Sequence, residues 1–351
     1  MSDQFDLQTA TVECVRLHDP ASGLDGYIAM YETDLGPAAG GCRFWSYADG
    51  EDAKADAVRL ARGMTYKNAL AGLPFSGGKA VLRRPDKDFD RTALFQAFGR
   101  AVAQLDGRYV TAEDVGTSVA DMQVVASMSR HVAGLPPEAG CAGGDPSPWT
   151  AQGVFESMQN GVAHVLRGDL DGLTVAVQGV GNVGADLCRR LHAAGARLVI
   201  ADTDAARCFA LAKEVGASVV GVEQIASVDA DVFAPCALGG ALTRDVVANL
   251  TARLVCGAAN NQLASPDVAA LLLERGIVYL PDYVVNAGGI ISVSAEYLGE
   301  DAGHVGQRVA AIAPRVGMLI ARAAAEGRSP AHVADEMAEQ VIANAREMQP
   351  A

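Results

Sequence analysis

A glycine-rich turn between an apolar strand and a helix restricts the fold of this chain more than any other stretch. Residues 173–178 form a short apolar run and lead directly into Gly179-Val180-Gly181-Asn182-Val183-Gly184. In a βαβ unit the three glycines of G-x-G-x-x-G permit a tight turn, the close approach of a pyrophosphate, and close helix–strand packing. The helix N-terminus offers unpaired N–H groups to the phosphates. The pattern predicts a dinucleotide site, with FAD and S-adenosylmethionine as rival ligands.

Asp202 and the elements that follow it extend this prediction. The residue ends a second apolar run, 197–201, and its carboxylate can accept hydrogen bonds from both hydroxyls of an adenosine ribose. The same charge would repel a 2′-phosphate, which favours NAD over NADP. Apolar runs then alternate with helical patterns, the runs at 232–237, 254–259 and 277–280 and the helices near 204–215, 242–250 and 264–275. Such alternation predicts a doubly wound parallel sheet in an α/β protein.

Two asparagines, Asn260 and Asn286, follow apolar runs in this second half of the chain. Ligands of doubly wound sheets bind beyond the carboxyl ends of the strands. The side chains of Asn260 and Asn286 could therefore hydrogen-bond a nicotinamide carboxamide or ribose. Asparagine also serves Asx turns, so a purely local role is an equal alternative.

Two lysines and an aspartate in the first third of the chain lie at the ends of predicted elements. Lys67 closes an amphipathic helix predicted at about 51–69, and Lys79 leaves a turn at Gly77-Gly78 to open a strand at 79–83. Asp114 ends a strand that begins at residue 108. A lysine in a poorly hydrated site loses proton affinity and can act as a base, and a nearby aspartate can hold its ammonium form. The pattern suggests a catalytic pair, whereas the alternative is that both lysines are surface charges.

The other elements complete an α/β pattern with two domains. Residues 9–17 and 26–33 predict a β-hairpin, and the glycine-rich segment 36–43 predicts a loop. Asp90 is a candidate N-cap, and Ser118 with Asp121 resembles a capping box for a helix at 119–131. The remaining expectations are a hinge at 134–148, a helix at about 149–167 and two helices from about 303 to 347. We predict a substrate domain at 1–140 that also holds the C-terminal helix, about 328–351, and a dinucleotide-binding domain at 141–327.

Composition excludes several classes of partner and site. The chain has 351 residues, more than one ordinary core, and its net charge of −14 argues against nucleic acid and anionic membranes as partners. Its seven cysteines include no C-x-x-C and its six histidines no H-E-x-x-H, so we expect reduced thiols and no metal site. Met1 to Gln8 lacks the shape of a signal peptide and no apolar run is long enough to span a bilayer, which predicts a cytoplasmic protein.

Several sequence blocks, in one order along nearly the whole chain, resemble the glutamate/leucine/phenylalanine/valine dehydrogenase family, and its leucine dehydrogenase branch in particular. These blocks are Gly36-Pro37, Gly40-Gly41, 63–68, Gly77-Gly78-Lys79, 111–117, 177–183, 234–237 and 259–262. The resemblance implies reversible oxidative deamination, in which an L-amino acid, NAD⁺ and water give a 2-oxo acid, NADH and ammonium. It also implies a catalytic first domain, a cofactor-binding second domain, closure that excludes water, and a homo-oligomer.

The resemblance assigns roles to individual residues. Lys67 is implied to bind the substrate carboxylate, Lys79 to activate the water that attacks an imine, and Asp114 to handle protons at the amino group. Gly40, Gly41 and Met64 are implied to line the substrate site. Beyond the glycine turn and Asp202, the residues implied to hold the nicotinamide half of the cofactor are Thr150, Ala237, Ala258, Asn260 and Asn286.

The family positions for the substrate side chain map to Ala39, Ala112, Ile290 and Val293, all of them apolar. Glutamate enzymes have a lysine where Ala39 stands, so a glutamate carboxylate would be buried here without a partner. Leucine enzymes usually have a leucine there, and Ala39 leaves more room. Because a hydrophobic pocket discriminates by only about 1–3 kcal/mol per methylene, branched-chain substrates are favoured and phenylalanine stays an alternative.

A third hypothesis, a non-catalytic nucleotide-binding protein, is open because a fold does not fix a function. The presence of Lys67, Lys79 and Asp114 argues against it. Two departures from the family pattern are Cys42, where threonine is common, and Asp145, where asparagine is common. Asp145 adds a negative charge close to the implied site.

Overall fold

The computed structural model describes residues 11–31, 33–136 and 141–347. Residues 1–8, part of the expected hinge at 134–148 and the end of the C-terminal helix therefore lie outside the described residues. The chain divides into two compact units: unit 1 falls within Met1–Gly144, Ile290–Val305 and Met337–Ala351, and unit 2 within Asp145–Gly289 and Gly306–Glu336. The return of residues 290–305 to unit 1 had no signal in the sequence.

Unit 1 is built on a five-stranded mixed sheet. Its strands are β1 (Val12–Asp19), β2 (Leu24–Tyr31), β3 (Ala38–Trp45), β4 (Ser76–Arg83) and β5 (Tyr109–Glu113). Their order is β1-β2-β4-β3-β5, in which β1 and β4 are antiparallel to β2, and β3 is parallel to both β4 and β5. The predicted hairpin is thus present as β1 and β2.

Three helices belong to the first part of unit 1: α1 (Gly50–Ala71), α2 (Arg91–Gln104) and α3 (Val119–Ala126). Asp90 caps α2 by accepting a hydrogen bond from the Ala93 N–H, and Ser118 and Asp121 form a complete capping box at α3, so both predicted caps are confirmed. Helix α1 ends where Gly72 adopts a left-handed conformation, φ 68°. The predicted end of α3 at 131 was wrong, because the helix stops at Ala126.

The glycine-rich segment predicted as a loop is strand β3, between β4 and β5, so that prediction was wrong. Likewise Gly77 and Gly78 lie inside β4 and form no turn. The glycines reflect close packing inside the sheet: a Cβ on Gly40 would overlap the Gly78 carbonyl oxygen, and one on Gly41 would overlap that of Glu113. Glycine clusters usually mark turns. Here they let the backbones of neighbouring strands, and helix α1, pack closely against β3 and β4.

Unit 2 contains a six-stranded parallel sheet, as predicted. Its strands are β6 (Thr174–Gln178), β7 (Arg197–Ala201), β8 (Ser218–Val219), β9 (Val232–Pro235), β10 (Leu254–Val255) and β11 (Val278–Tyr279). The order β11-β10-β9-β6-β7-β8 is the strand order of dinucleotide-binding folds, in which the chain returns to the centre after three strands. The last two strands are shorter than their apolar runs suggested.

Helices flank this sheet and continue to the C-terminal region. They are α4 (Ser147–Val165), α5 (Asn182–Ala193), α6 (Ala205–Val215), α7 (Arg244–Asn249), α8 (Asp267–Glu274), α9 (Asp282–Val285), α10 (Gly288–Tyr297), α11 (Ala302–Ala310), α12 (Ile312–Glu326) and α13 (Pro330–Glu347). The region from 303 to 347 thus holds three helices where two were predicted. Within the described ranges, no helix is long and apolar enough to cross a membrane.

Candidate active site

A buried ion pair joins Lys79 and Asp114 in unit 1. The Lys79 Nζ lies 2.8 Å from Asp114 Oδ2, and the lysine is only 6% exposed. Lys79 is on β4 and Asp114 directly follows β5, with β3 between them. The pair can form because Gly41 of β3 has no side chain: a Cβ there would lie 2.9 Å from the Asp114 Cβ.

Asp114 is held in its ionised form. Burial by itself raises the pKa of this carboxyl, but the charges and hydrogen bonds of Lys79 and Arg43 outweigh burial and bring the pKa below its ordinary value. Arg43 lies on β3 with its Nε 3.3 Å from the same Oδ2 atom. The site therefore offers a carboxylate and an ammonium group between which a proton can move.

Helix α1 carries two of the predicted substrate-binding side chains. Met64 lies beside Gly40, because its Cγ is 3.2 Å from the position a Cβ on Gly40 would take. Lys67 is half-buried and follows Met64 by three residues, so both project from the same face of α1. Asn68 fixes this end of the helix to the sheet, since its amide donates to the carbonyl of Ser76 at 2.9 Å.

A small, partly open apolar pocket in unit 1 spans about 240 Å³ of space free of protein atoms, part of which is open to solvent. All four residues predicted to contact the substrate side chain line it, together with Gly40: Ala39, Ala112, Ile290 and Val293. Ala39 and Ala112 come from neighbouring strands, whereas Ile290 and Val293 come from α10. The sequence did not predict α10, so only the fold explains how these residues meet.

Phe75 and Tyr297 form a wall of the same pocket that sequence reasoning missed. Their rings meet edge to face, with centroids 6.1 Å apart, and the Tyr297 hydroxyl is hydrogen-bonded to His131 Nδ1 at 2.8 Å. Phe75 precedes Ser76, and Ser76 is three strand residues before Lys79, a distance of about 10 Å. Phe75 is thus separated from Lys79 by more than about 10 Å along the strand direction. No local pattern marks Tyr297 as different from a core tyrosine.

The glycine turn in unit 2 is tightly packed at two of its three glycines and open at the third. Gly179 has φ +97°, and a Cβ there would lie 2.7 Å from the Ala237 backbone nitrogen. A Cβ on Gly184 would overlap the Gly179 carbonyl oxygen, whereas one on Gly181 would meet no protein atom within 4 Å. Packing therefore explains Gly179 and Gly184, and the open space at Gly181, at the N-terminus of α5, fits a phosphate group.

Asp202 follows β7 and faces this turn. Its Oδ2 accepts a hydrogen bond from the Val180 N–H at 2.7 Å, and its Oδ1 accepts one from the Asp204 N–H at 2.8 Å. Burial raises the pKa of Asp202, but these backbone N–H groups more than offset it and keep the pKa below its ordinary value. An ionised carboxylate therefore lies beside the second residue of the turn.

Three of the other predicted cofactor residues are joined by hydrogen bonds. The buried Asn286 amide donates to the Ala258 carbonyl at 3.0 Å and to Asn260 Oδ1 at 2.8 Å. The Asn286 Oδ1 is buried and has no hydrogen-bond partner among the residues described, which is the kind of acceptor that a ligand satisfies. Thr150 lies beside Gly289, where a Cβ would be 2.7 Å from its hydroxyl.

The two departures from the family pattern lie in different surroundings. Cys42 is fully buried in β3, where loss of solvation raises the pKa of its thiol well above the ordinary value. Asp145 is exposed and accepts a hydrogen bond from the Ser147 N–H at the start of α4. In the described part of the chain, no cluster of histidine, cysteine, aspartate and glutamate is placed to hold a metal ion.

Comparisons with known proteins agree across nearly the whole chain. Residues 8–131 match the family model "Glu/Leu/Phe/Val dehydrogenase, dimerisation domain", and residues 203–340 match "Glutamate/Leucine/Phenylalanine/Valine dehydrogenase". The chain is 44% identical to a leucine dehydrogenase of Geobacillus stearothermophilus over 93% of its length and 89% of the relative. It is 48% identical to a valine dehydrogenase of Streptomyces albus, over 95% of this chain and 93% of the relative.

A similar solved structure is L-tryptophan dehydrogenase from Nostoc punctiforme. The TM-score is 0.84 at 37% sequence identity, and the match covers 95% of this chain and 96% of the other. The two-unit architecture described above is therefore shared with an amino acid dehydrogenase along almost its full length.

Proposed function

Because this chain belongs to the glutamate/leucine/phenylalanine/valine dehydrogenase family, we propose that it oxidises branched-chain L-amino acids with NAD⁺. The products are the 2-oxo acid, NADH and ammonium, and the reaction is reversible. The observation that carries this proposal is the buried Lys79–Asp114 pair, joined at 2.8 Å beside an apolar pocket. The chain is thus an amino acid dehydrogenase that acts on a CH–NH₂ group.

Three charged residues of unit 1 have separate roles in this reaction. Lys67 binds the substrate α-carboxylate as a point charge. Asp114 accepts a hydrogen bond from the substrate amino group, takes up one proton from it, and later returns that proton to the departing amine. When bound, NAD⁺ supplies the acceptor for the hydride that leaves the α-carbon. Lys79 then removes a proton from the water that attacks the imine carbon, and loss of ammonium gives the 2-oxo acid.

Unit 2 would hold the cofactor. The glycine turn 179–184 and the N-terminus of α5 are suited to the pyrophosphate, and the Asp202 carboxylate to the ribose hydroxyls. The cluster of Ala258, Asn260 and Asn286, with Thr150 and Ala237, is suited to the nicotinamide half. The charge of Asp202 supports NAD over NADP, because a 2′-phosphate would approach an ionised carboxylate.

The pocket supports an apolar substrate side chain. Ala39, Ala112, Ile290 and Val293 present only carbon to it, and no lysine or arginine lines it. A glutamate side chain would lose its hydration there without gaining a counter-charge, which costs several kcal/mol. Apolar amino acids such as leucine, isoleucine and valine are therefore favoured over glutamate.

The decisive experiment is a substrate panel. The purified full chain is incubated with NAD⁺ at alkaline pH and with leucine, isoleucine, valine, phenylalanine, tryptophan or glutamate, and NADH absorbance is followed. We expect the highest kcat/KM with the branched-chain amino acids and none detectable with glutamate. No NADH with any apolar amino acid would refute the proposed function.

An aromatic amino acid dehydrogenase is a second candidate. Ala39 favours it, because a small residue leaves room in the pocket, and the chain is structurally similar to a tryptophan dehydrogenase. The panel separates the two candidates by the ratio of kcat/KM for leucine to that for phenylalanine.

Replacing Ala39 with leucine tests how the pocket selects its substrate. The added side chain fills space next to Gly40, so phenylalanine should lose more binding than leucine or valine. We expect Ala39→Leu to raise the leucine/phenylalanine ratio of kcat/KM about tenfold, since each methylene is worth about 1–3 kcal/mol. Ala120→Leu, on the exposed face of α3, makes the same change outside the pocket. An equal change of ratio in both variants would contradict the assignment.

We further propose a homo-oligomer in the cytoplasm, without nucleic acid or membrane partners. The net charge of −14 supports the absence of polyanionic partners. Residues 8–131 match a family model described as a dimerisation domain, and β1 is an edge strand of the unit 1 sheet. Light scattering coupled to size-exclusion chromatography measures the oligomeric state directly, and a monomer at micromolar concentration would contradict it.

A further inference from the structure

Arg43 connects the catalytic carboxylate to a second carboxylate on α1. Its Nε lies 3.3 Å from Asp114 Oδ2, and its terminal NH1 nitrogen lies 3.0 Å from Asp56 Oδ2. The side chains of all three residues are less than 20% exposed. One guanidinium group thus bridges two largely buried anions from different elements of unit 1.

Asp56 is itself held in place from two other directions. The Tyr47 hydroxyl donates to Asp56 Oδ2 at 2.6 Å, and Arg59 contacts Asp56 Oδ1 at 2.6 Å from the following turn of α1. Because Tyr47 and Arg59 also hold Asp56, the position of this carboxylate does not depend on Arg43 alone. Asp56 can therefore fix the plane of the Arg43 guanidinium group. The network therefore sets the direction from which Arg43 approaches Asp114.

Arg43 differs from Lys79 in one respect that matters for the reaction. Both contact the same oxygen of Asp114, but Lys79 must lose its proton to act as a base. At that moment a largely buried carboxylate loses its closest counter-charge. A guanidinium group stays charged at any pH at which a protein is folded, so Arg43 remains as a permanent cation beside Asp114.

We propose that Arg43 is a positioning residue that keeps Asp114 oriented and available as a carboxylate to take up a proton, even when Lys79 is neutral. This role rests on the proposed function, and it assigns Arg43 an action through Asp114 and no direct contact with the amino acid or the cofactor. Without Arg43, the proton released by Lys79 or by the substrate would stay on Asp114, because burial favours the neutral acid. Asp114 could then no longer take up a proton from the substrate amino group.

Among the described residues of unit 1, two cations, a thiol and a phenol interact with Asp114. Lys79 faces it from β4, Arg43 and the buried Cys42 thiol face it from β3, and the buried Tyr109 hydroxyl faces it from β5. The Val115 N–H donates to the carboxyl from its own segment. Among these groups, Arg43 is the fixed cation, so its removal should raise the pKa of Asp114. As the pH falls, the variant should then lose activity at a higher pH than the parent protein does.

The test compares Arg43→Gln with Arg43→Lys and with Arg59→Gln. Arg59→Gln is the matched control, because it removes a cation from Asp56 without touching Asp114. We expect Arg43→Gln to move the acid limb of the kcat/KM profile upward by about one pH unit, with about a tenfold lower kcat/KM on that limb. Arg43→Lys should keep the limb in place, and Arg59→Gln should shift it by less than a third as much.

In Asp56→Asn, the acid limb of the kcat/KM profile should not move upward as it does in Arg43→Gln. This substitution removes an anion from the network but leaves Arg43, so the acid limb should stay or move to lower pH. Lower activity in both Arg43→Gln and Asp56→Asn, with an unmoved acid limb in each, would show a purely structural role and overturn the proposal.

A direct titration separates this inference from the proposed function. The Asp114 carboxyl carbon is followed by ¹³C NMR in the full chain and assigned by its loss in Asp114→Asn. An upward shift of its titration in Arg43→Gln supports the role even in a chain that oxidises none of the amino acids tested. An unchanged titration in a folded Arg43→Gln protein refutes it.

Discussion

Lys79→Ala should reduce kcat for amino acid oxidation on the order of a thousandfold, because a positioned general base contributes about 10²–10⁴. The lysine is buried on β4 and its Nζ is bonded to Asp114, so no solvent-exposed group can take its place. NADH binding should be unchanged, since the glycine turn and Asp202 belong to unit 2. Stopped-flow or steady-state NADH formation measures kcat, and NADH fluorescence measures binding.

The control for this variant is Lys87→Ala, which removes an exposed lysine from the same unit. It should keep kcat within about twofold, as surface substitutions do little. Lys79→Ala also takes the nearest cation from a carboxylate whose pKa it helps to lower, so its fold is checked by circular dichroism. A folded Lys79→Ala protein with more than a tenth of the parent kcat would remove Lys79 from the mechanism.

Asp202 should make the enzyme prefer NAD⁺ over NADP⁺ by on the order of a hundredfold in kcat/KM, which corresponds to about 2.7 kcal/mol. Its carboxylate is ionised and lies beside the turn, with Oδ2 bonded to the Val180 N–H at 2.7 Å. A 2′-phosphate close to that charge is repelled, whereas ribose hydroxyls can donate to it. Asp202→Asn keeps an acceptor oxygen and removes the charge, so we expect the preference to fall to about tenfold or less.

Asp229→Asn removes an exposed carboxylate of unit 2 away from the glycine turn and serves as the control. It should leave the NAD⁺/NADP⁺ ratio unchanged. Steady-state rates with both cofactors and one amino acid give the ratios. Equal use of NAD⁺ and NADP⁺ by the parent chain would contradict the cofactor assignment, and an unchanged ratio in Asp202→Asn would assign the preference to another residue.

Local sequence was sufficient wherever a short segment forms its own structure. The glycine turn, Asp202 and the alternation of apolar and helical runs predicted the parallel sheet of unit 2, because a βαβ unit is defined by contiguous residues. Asp90 and the Ser118–Asp121 box predicted helix starts, because a cap satisfies N–H groups only a few residues away. The same reasoning failed at β3, because its glycines are needed for close packing against Gly78 and Glu113, which lie far along the chain.

The sequence by itself determined the fold class and predicted the cofactor turn, because residue type and short spacing carry that information. Spacing left the two lysines and the aspartate open between a catalytic and a surface role, and their proposed chemistry came from the resemblance to the family. Only the tertiary structure decided which distant side chains meet. It placed α10 against β3 and β5 to build the pocket with Tyr297, and it set Arg43 between Asp114 and Asp56. The physical reason is that burial and charge pairing act through space, so a residue such as Arg43 has no function that its sequence neighbours could reveal.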